Sequence, residues 1–210
     1  EAVRNFIALL GWSPKDDQEI LSIEELVESF SLDDVQKGGA RFDEKKMSHI
    51  NFEYMKAMPV EAYAHSASSA LRKAGLIDDA TDQDYLVSCL KVCQEKIDSF
   101  ENLPGFAAYF FSDDYAINEK AEGKVFKKGD AITRIQEITP VLAALEGWTE
   151  ASLEGAFNQL AESLETKPFA WFPVVRFAVS GTNSGPDFLP MLEILGKERV
   201  LERLKKTEEK

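Results

Sequence analysis

Apolar residues recur along the chain with the spacing of an α-helix, so most segments have one apolar and one polar face. Caps and breakers divide this pattern, because Ser, Thr and Asp favour helix starts while Gly and Pro favour helix ends. The predicted helices run from Ala2 to the closing Gly11, from the Ser22 capping box through Phe30, from the cap at Asp43 to the residue before Pro59, and over 60–73, 82–96, 101–111, 118–126, 130–145, 149–164, 187–195 and 197–204. We expect Pro140 to kink or divide its helix and residues 205–210 to fray. Only 174–179 fits a strand as well as a helix, so the predicted fold class is all-α.

The stretch 174–188 stands apart because an apolar run, a lone arginine and a polar turn coincide there. Arg176 has two apolar residues on each side, so its guanidinium must either pair with a partner or face a ligand. Gly181 can end a helix in the left-handed conformation, and Gly185 with Pro186 can open the next one. Taken alone, the stretch predicts either an ordinary corner between two helices or a rigid turn that holds polar groups for a partner.

Length and composition are those of a globular protein, with 210 residues and 44% hydrophobic residues. No apolar run approaches the length of a membrane span, and the first residues lack the order of a signal peptide, which predicts a cytoplasmic location. The chain starts with Glu1 and enters a helix at once, so it resembles a fragment of a longer protein. Cys89 and Cys93 lie four residues apart, which predicts core or half-buried thiols on one helix face.

The formal net charge of −13 argues against a nucleic-acid partner for the molecule as a whole, since phosphate binding needs clustered Lys and Arg. Local basic spots are nevertheless present. Each is typical of a solvated helix face or of a cation near a helix carboxyl end. These spots are Lys45-Lys46, Arg72-Lys73, Lys120 with Lys124, Lys127-Lys128 and the segment 199–206.

Residues that could carry catalysis are scattered. His49 and His65 lie in separate predicted helices without a second ligand at metal spacing, which predicts surface or half-buried side chains. The sequence has no phosphate loop after a strand, no nucleophile elbow and no zinc-binding helix motif. Adjacent carboxylates at 33–34, 78–79 and 113–114 are typical of turns and helix caps. We therefore predict no catalytic or metal site, and a small-molecule enzyme has no convergent polar groups to support it.

A series of landmarks occurs in one order over nearly the whole chain. They are Asn5-Phe6-Ile7-Ala8-Leu9-Leu10-Gly11-Trp12-Ser13-Pro14, Phe42-Asp43-Glu44-Lys45-Lys46, Asn51 with Tyr54, Tyr109-Phe110-Phe111, Trp148-Thr149-Glu150, Arg176-Phe177-Ala178-Val179-Ser180-Gly181 with Gly185-Pro186, and Leu195-Gly196-Lys197-Glu198-Arg199. In this order the chain resembles the carboxyl-terminal half of bacterial glutamyl-tRNA synthetase, a class I aminoacyl-tRNA synthetase. The first and last blocks are the most specific.

The resemblance implies a helical stem-contact unit over 1–58, followed by two packed helical anticodon-binding subdomains over 59–146 and 147–207. It also implies that the nucleotide-binding fold and the class I signature loop belong to the chain upstream. Lys46-Met47-Ser48 spells part of that loop's signature, but it falls inside the predicted helix capped by Asp43. We therefore interpret it as part of the stem-contact unit.

The resemblance also implies roles for individual residues. Lys46 matches a basic residue that contacts the tRNA stem backbone. Lys96 falls where relatives can carry an arginine that reads the first anticodon base, and a lysine lacks the bidentate fork that discriminates bases well. Around Asn158, where relatives may be basic, this chain is neutral. The positions expected to meet the other anticodon bases are Arg176 as a cation, Phe188 as an apolar plate, and the turn residues Asn183, Gly185 and Pro186.

The expected function is therefore binding of a tRNA anticodon arm by a fragment that cannot aminoacylate on its own. The parent enzyme would join glutamate to tRNA with ATP and Mg²⁺, whereas the fragment itself would need no cofactor. Expected partners are a glutamate-accepting tRNA and the catalytic domain of the same parent chain, with no membrane and a monomeric state. The alternative is a helical protein-interaction module without RNA binding, which the charge of −13 favours.

Overall fold

The computed structural model describes residues 1–39, 41–127 and 129–209 of the chain. Lys128, which belongs to one of the basic spots, lies outside these described residues. Within them the chain forms α-helices and two 3₁₀ turns and no strand, so the all-α prediction is confirmed. The helices are α1 (Ala2–Leu9), α2 (Ile23–Ser29), α3 (Glu44–Ala57), α4 (Val60–Lys73), α5 (Gln83–Gln94), α6 (Leu103–Phe111), α7 (Glu119–Phe126), α8 (Ala131–Ala143), α9 (Glu150–Ser163), α10 (Phe172–Ser180), α11 (Phe188–Leu195) and α12 (Lys197–Glu208), and the 3₁₀ turns are Leu32–Asp34 and Pro168–Ala170.

Several helices begin where a side chain caps their free N–H groups, as the sequence predicts. The Ser22 hydroxyl accepts from the Glu25 N–H at 3.1 Å, and the Glu25 carboxylate accepts from the Ser22 N–H at 2.7 Å. The Asp43 carboxylate caps α3, and the Thr149 hydroxyl caps α9. The predicted capping box and the two predicted caps are confirmed.

The sequence predicts that Pro140 kinks or divides α8 and that the end of α12 frays. Pro140 does not divide α8, which runs without interruption from Ala131 to Ala143. The prediction that residues 205–210 fray is wrong as far as Glu208, because α12 continues to that residue, and Lys210 lies outside the described residues. Tertiary contacts hold this end, since Thr207 is buried and the Gln136 side-chain amide donates to the Glu208 carboxylate at 3.0 Å.

A buried polar network organises the first three helices. Asn5 donates from Nδ2 to the Glu19 carbonyl at 2.8 Å, and its Oδ1 accepts from the Leu21 N–H at 2.7 Å. The Tyr54 hydroxyl on α3 donates to the Leu21 carbonyl at 2.6 Å. Because leaving a buried polar group without a hydrogen bond costs free energy, this network fixes the loop between α1 and α2 against α3. Two small apolar clusters lie around it, namely Ala2 with Phe6 and Ile50, and Trp12 with Leu21 and Leu26.

The main core is a continuous cluster of buried side chains that reaches from Met55 on α3 to Leu204 on α12. Within it α12 packs against α8, α10 and α11. Gln94 joins α5 to the turn between α3 and α4, because its amide donates to the carbonyls of Met55 and Met58, both at 3.0 Å. The division of the chain into 1–58, 59–146 and 147–207 stays a prediction.

The two cysteines lie in this core on α5 and form no disulfide. Burial raises the pKa of the Cys89 thiol to about 12, and burial also raises the pKa of Cys93. Both thiols are therefore neutral at physiological pH, and the prediction of core thiols is confirmed. None of the described helices combines the length and the apolar character that crossing a bilayer requires.

Candidate nucleic-acid interface

The segment 174–179 is helical and belongs to α10, which ends at a left-handed glycine. Gly181 has φ +70°, and its N–H donates to the Phe177 carbonyl at 2.8 Å. A Cβ at this position would lie 2.8 Å from the Ala116 carbonyl oxygen. The Gly181 carbonyl in turn accepts from the Asn118 N–H at 2.9 Å. Both the backbone conformation and the close approach of the chain before α7 therefore require glycine here.

Arg176 points from α10 toward the turn that follows it. Its guanidinium carbon lies 5.5 Å from the centre of the Phe188 ring, and its Nη1 lies 3.7 Å from the Met191 sulfur. The side chain is half-buried, and within the described part of the chain it forms no ion pair. Burial lowers the pKa of Arg176, while nearby Tyr109 and Asp187 raise it. Arginine still remains protonated, so the site holds a charge that has lost water without gaining a carboxylate partner.

Gly185 makes room for this guanidinium. Its φ is +155°, and a Cβ built there would lie 2.9 Å from Nη1 of Arg176. Real Cβ atoms essentially never come so close to another heavy atom, so a larger residue would displace the guanidinium. The glycine therefore sets the position of the cation as well as the path of the turn.

Lys96 approaches the same corner from the end of α5. Its ammonium group lies 2.9 Å from the carboxylate of Asp187, the residue directly before α11. Both side chains are partly exposed, so water screens this ion pair and it adds little stability. Pro186, next to Asp187, is buried. We name the group of Lys96, Arg176, Gly185, Pro186 and Phe188 the anticodon corner, after the contacts that the resemblance leads us to expect.

Phe188 is buried, with 8% of its surface exposed, and it does not present a free face to solvent. Its ring centre lies 4.2 Å from that of Phe172 and 5.6 Å from that of Phe157. The ring therefore supports Arg176 by a cation–π contact from within the core. A base that reaches the anticodon corner would meet the guanidinium before it met this ring.

The remaining predicted residues lie elsewhere. Asn183 is exposed and lines a separate cavity together with Lys124 and Phe169. Lys46 lies on α3 and forms an ion pair with Glu19 at 2.9 Å. The structure thus brings five of the seven predicted site residues together and leaves Asn183 and Lys46 outside that group.

Sequence reasoning assigned no role to Tyr109, which lies beneath the turn. It is 2% exposed, and its hydroxyl has no hydrogen-bond partner within the described structure. A Cβ at Gly185 would lie 3.8 Å from this hydroxyl. Burial raises the pKa of Tyr109, so the group is a neutral donor and acceptor. Its sequence signal was limited to membership of the Tyr109-Phe110-Phe111 landmark.

Arg203 was also missed, because it lies in the basic segment 199–206 that suggested a solvated face. It is 4% exposed, and its two terminal nitrogens donate to the carbonyls of Val179 at 2.6 Å and Tyr109 at 3.0 Å and to the Asp113 carboxylate at 2.6 Å. The guanidinium carbon also lies 4.7 Å from the centre of the Tyr115 ring. Arg203 therefore ties α12 to the ends of α6 and α10, directly behind the turn.

The titratable residues of the described structure show no arrangement for metal chemistry. No group of three or more His, Cys, Asp or Glu side chains among them could hold a metal ion. His49 and His65 are exposed, as predicted. Lys46-Met47-Ser48 lies inside α3, as predicted. The anticodon corner holds one cation, Arg176, in a fixed position among apolar side chains, and this arrangement suits recognition of a ligand.

Comparisons with known proteins agree with the resemblance drawn from the landmarks. The chain is 35% identical over 204 residues to the glutamate–tRNA ligase of Elusimicrobium minutum, covering 97% of this chain and 42% of that protein. It is 32% identical to the glutamate–tRNA ligase of Thermus thermophilus, covering 98% of this chain and 43% of the relative. The chain thus spans less than half the length of these curated relatives.

A solved structure of a glutamate–tRNA ligase from Elizabethkingia meningosepticum matches the whole chain with a TM-score of 0.78 and 27% identity, over 41% of that structure. Residues 54–208 also match a family model described as an anticodon binding domain. This match covers most of the chain, including α4 to α12. The chain therefore belongs to the anticodon-binding domain family.

Proposed function

We propose that this chain binds the anticodon arm of a glutamate-accepting tRNA, as the anticodon-binding part of a glutamate–tRNA ligase. The observation that carries the proposal is Arg176, a half-buried cation that forms no ion pair within the described residues and is held at a glycine turn between two helices. Membership of the anticodon-binding domain family supports it.

The chemistry of the anticodon corner fits an unstacked base. Bases of a single-stranded loop are recognised by hydrogen bonds to their edges and by contact with flat or apolar side chains. A guanidinium offers donors in a fixed plane. Burial has already removed part of the water around Arg176, so a base or a phosphate that accepts from it replaces hydrogen bonds that the guanidinium has lost to burial. Lys96 must share its ammonium group with Asp187, so we propose that it contributes less than Arg176 to binding.

The other predicted roles are proposals of the same kind. Lys46, which pairs with Glu19 at the surface, would leave the Glu19 carboxylate and contact a phosphate of the tRNA stem backbone. Residues 1–58 would then form the stem-contact unit, and 59–146 with 147–207 the two anticodon-binding subdomains. Asn183 would contact the loop from the edge of the turn.

The proposal for the parent protein follows from the relatives' names. We propose that the parent joins glutamate to tRNA with ATP and Mg²⁺ in the cytoplasm, through a catalytic domain that contacts this chain. The chain itself would act as a monomer, bind no cofactor and not aminoacylate. Formation of glutamyl-tRNA by the purified 210-residue chain would contradict this division of labour.

A filter-binding titration with tRNA at two salt concentrations tests the function. We expect binding that weakens as salt rises, because phosphate contacts release counterions. The control is the same titration with a tRNA of unrelated anticodon, which should bind more weakly. Absence of tRNA binding at both salt concentrations would instead indicate the protein-interaction module suggested by the net charge of −13.

A further inference from the structure

A second surface feature lies beside the anticodon corner. A cavity of about 450 Å³ opens between α7, the start of α8 and the 3₁₀ turn that leads into α10. We name it the Phe169 pocket. Its lining includes Lys124, Arg134, Phe169, Pro173 and Asn183.

The pocket combines an exposed aromatic ring with cations. Phe169 is 59% exposed, so a face of its ring is accessible to a ligand. The Lys167 ammonium group lies 5.6 Å from the centre of this ring. Lys124 is exposed, and within the described residues it forms no ion pair. The two lysines therefore place positive charge at the pocket although the whole chain carries −13.

The acidic residue of the pocket is already engaged. Asp130 accepts from Nε of Arg134 at 2.8 Å, and the Arg134 guanidinium lies 5.8 Å from the centre of the Trp171 ring. These contacts hold Arg134 along the pocket wall. Lys124 in the lining and Lys167 beside the Phe169 ring form no ion pair within the described residues, so both can contact an anionic group.

Asn183 connects the pocket to the anticodon corner. It lies in the turn between Gly181 and Gly185, two residues before the glycine that faces Arg176. Its side chain is exposed, and within the described structure it makes no hydrogen bond, so its amide can donate and accept. The turn that carries Asn183 therefore joins the lining of the pocket to the glycine that faces Arg176.

We propose that the Phe169 pocket binds a nucleotide of the anticodon loop that directly flanks the anticodon. The base stacks on Phe169, its edge contacts the Asn183 amide, and its phosphate contacts Lys124 and Lys167. Stacking on an aromatic ring accepts any base, because every base has a flat face, so the pocket adds affinity without reading sequence. This inference rests on the proposed tRNA-binding function and reassigns Asn183 from the anticodon to its neighbour.

The test is a fluorescence-anisotropy titration of the 210-residue chain with three anticodon stem-loops. One carries the natural loop of a glutamate-accepting tRNA, and the other two carry an abasic site directly 5′ or directly 3′ of the anticodon. The variants are Phe169→Ala and Phe169→Trp. Val60→Ala is the control, because Val60 is similarly exposed, at 50%, and lies at the start of α4, outside the pocket and outside the residues to which a tRNA contact is assigned.

We expect Phe169→Ala to weaken binding of the natural loop roughly 5- to 100-fold, as the loss of one stacked base predicts. Phe169→Trp should bind like the unchanged chain, and Val60→Ala should change affinity less than twofold. With one of the two abasic loops, the unchanged chain should lose the same factor, and Phe169→Ala should then add no further loss.

Equal losses for Phe169→Ala on all three loops, or no loss on any, would overturn the pocket inference. If Phe169→Ala has no effect while Arg176→Ala weakens binding, the pocket inference fails and the proposed function stands. If the unchanged chain binds none of the loops, the proposed function fails and the pocket inference falls with it.

Discussion

Two arginines, Arg176 and Arg203, lie near the turn that follows α10, and their guanidinium groups differ in the hydrogen bonds that they make. Arg203 is 4% exposed, and Arg176 is half-buried. The terminal nitrogens of Arg203 donate to backbone carbonyls and to the Asp113 carboxylate, whereas Arg176 contacts the Phe188 ring and the Met191 sulfur and forms no ion pair within the described residues. The hydrogen bonds already made therefore separate a cation that holds the fold from one that is available to a ligand.

The comparison predicts that removing the Arg203 guanidinium lowers stability, whereas removing the Arg176 guanidinium weakens ligand binding. Arg203→Met keeps most of the apolar side-chain volume but leaves the carbonyls of Val179 and Tyr109 without their donor. We expect a loss of about 3 kcal/mol of unfolding free energy, which corresponds to a fall in Tm of roughly 6–12 °C for a chain of this size. Differential scanning calorimetry measures the change.

The matched control for this prediction is Arg72→Met. Arg72 pairs with Asp79 at the surface at 2.7 Å, with side chains 44% and 99% exposed, so its removal should change the unfolding free energy by less than about 1 kcal/mol. A similar Tm for Arg203→Met and Arg72→Met would show that the buried hydrogen bonds of Arg203 add no more stability than the surface ion pair of Arg72.

Arg176→Ala should act on binding. We expect it to weaken binding of the anticodon stem-loop by about 1–3 kcal/mol, or roughly 5- to 150-fold, because a fixed guanidinium loses one or two hydrogen bonds to a base or phosphate. Lys96→Ala should cost less, since a partly exposed lysine gives up more freedom on binding and must leave Asp187. Titration by fluorescence anisotropy ranks the two variants.

Two results would break this ranking. An equal or larger loss at Lys96 would place the main cation at the end of α5. A fall in Tm for Arg176→Ala as large as that for Arg203→Met would show that Arg176 also serves chiefly to hold the fold, despite its missing partners.

Gly185→Ala sharpens the comparison without removing the charge. The added methyl group would lie 2.9 Å from Nη1 of Arg176, so the guanidinium must move away from the turn. We expect affinity for the stem-loop to fall roughly fivefold, which corresponds to about 1 kcal/mol. The strained φ of +155° should cost about 1 kcal/mol or more of unfolding free energy.

A double-mutant cycle gives this prediction its control. In Arg176→Ala the methyl group at 185 has nothing to displace, so the double variant should bind no worse than Arg176→Ala alone. Additive losses in the cycle would mean that Gly185 acts on the ligand directly, through its backbone, and not by positioning Arg176.

The contrast between the two arginines also shows what the sequence can predict. Helices follow from local rules, so the caps at Ser22, Asp43 and Thr149 and the helix end at Gly181 are present as predicted. Arg176 was recognisable because its neighbours in the chain are apolar. The sequence therefore identified residues whose role is indicated by neighbours a few positions away in the chain.

Other features depend on contacts between distant parts of the chain. Arg203 lies in a polar segment, and its partner Tyr109 is 94 residues away, so nothing local indicates its burial. The exposure of Phe169 and the burial of Phe188 likewise depend on how α9, α10 and α11 pack. No spacing rule joins Asn183 to Lys124, and the pocket they share became visible only in three dimensions.

Asp113→Asn probes the ion pair of Arg203 with a partly exposed carboxylate through its pH dependence. The hydrogen bond from Arg203 lowers the pKa of Asp113 below its ordinary value. The contribution of a carboxylate with a lowered pKa is present above its unfolded pKa of about 3.9 and is lost as pH falls through the folded pKa.

The Asp113 side chain is 63% exposed, so we expect a difference in unfolding free energy below about 1 kcal/mol between the unchanged chain and the variant at pH 7. Urea unfolding from pH 7 down to pH 3 should show this difference shrinking, because the protonated carboxyl comes to resemble the amide. A difference that stays constant over this range would mean that the Asp113 charge does not stabilise Arg203, and that the backbone carbonyls alone hold the guanidinium.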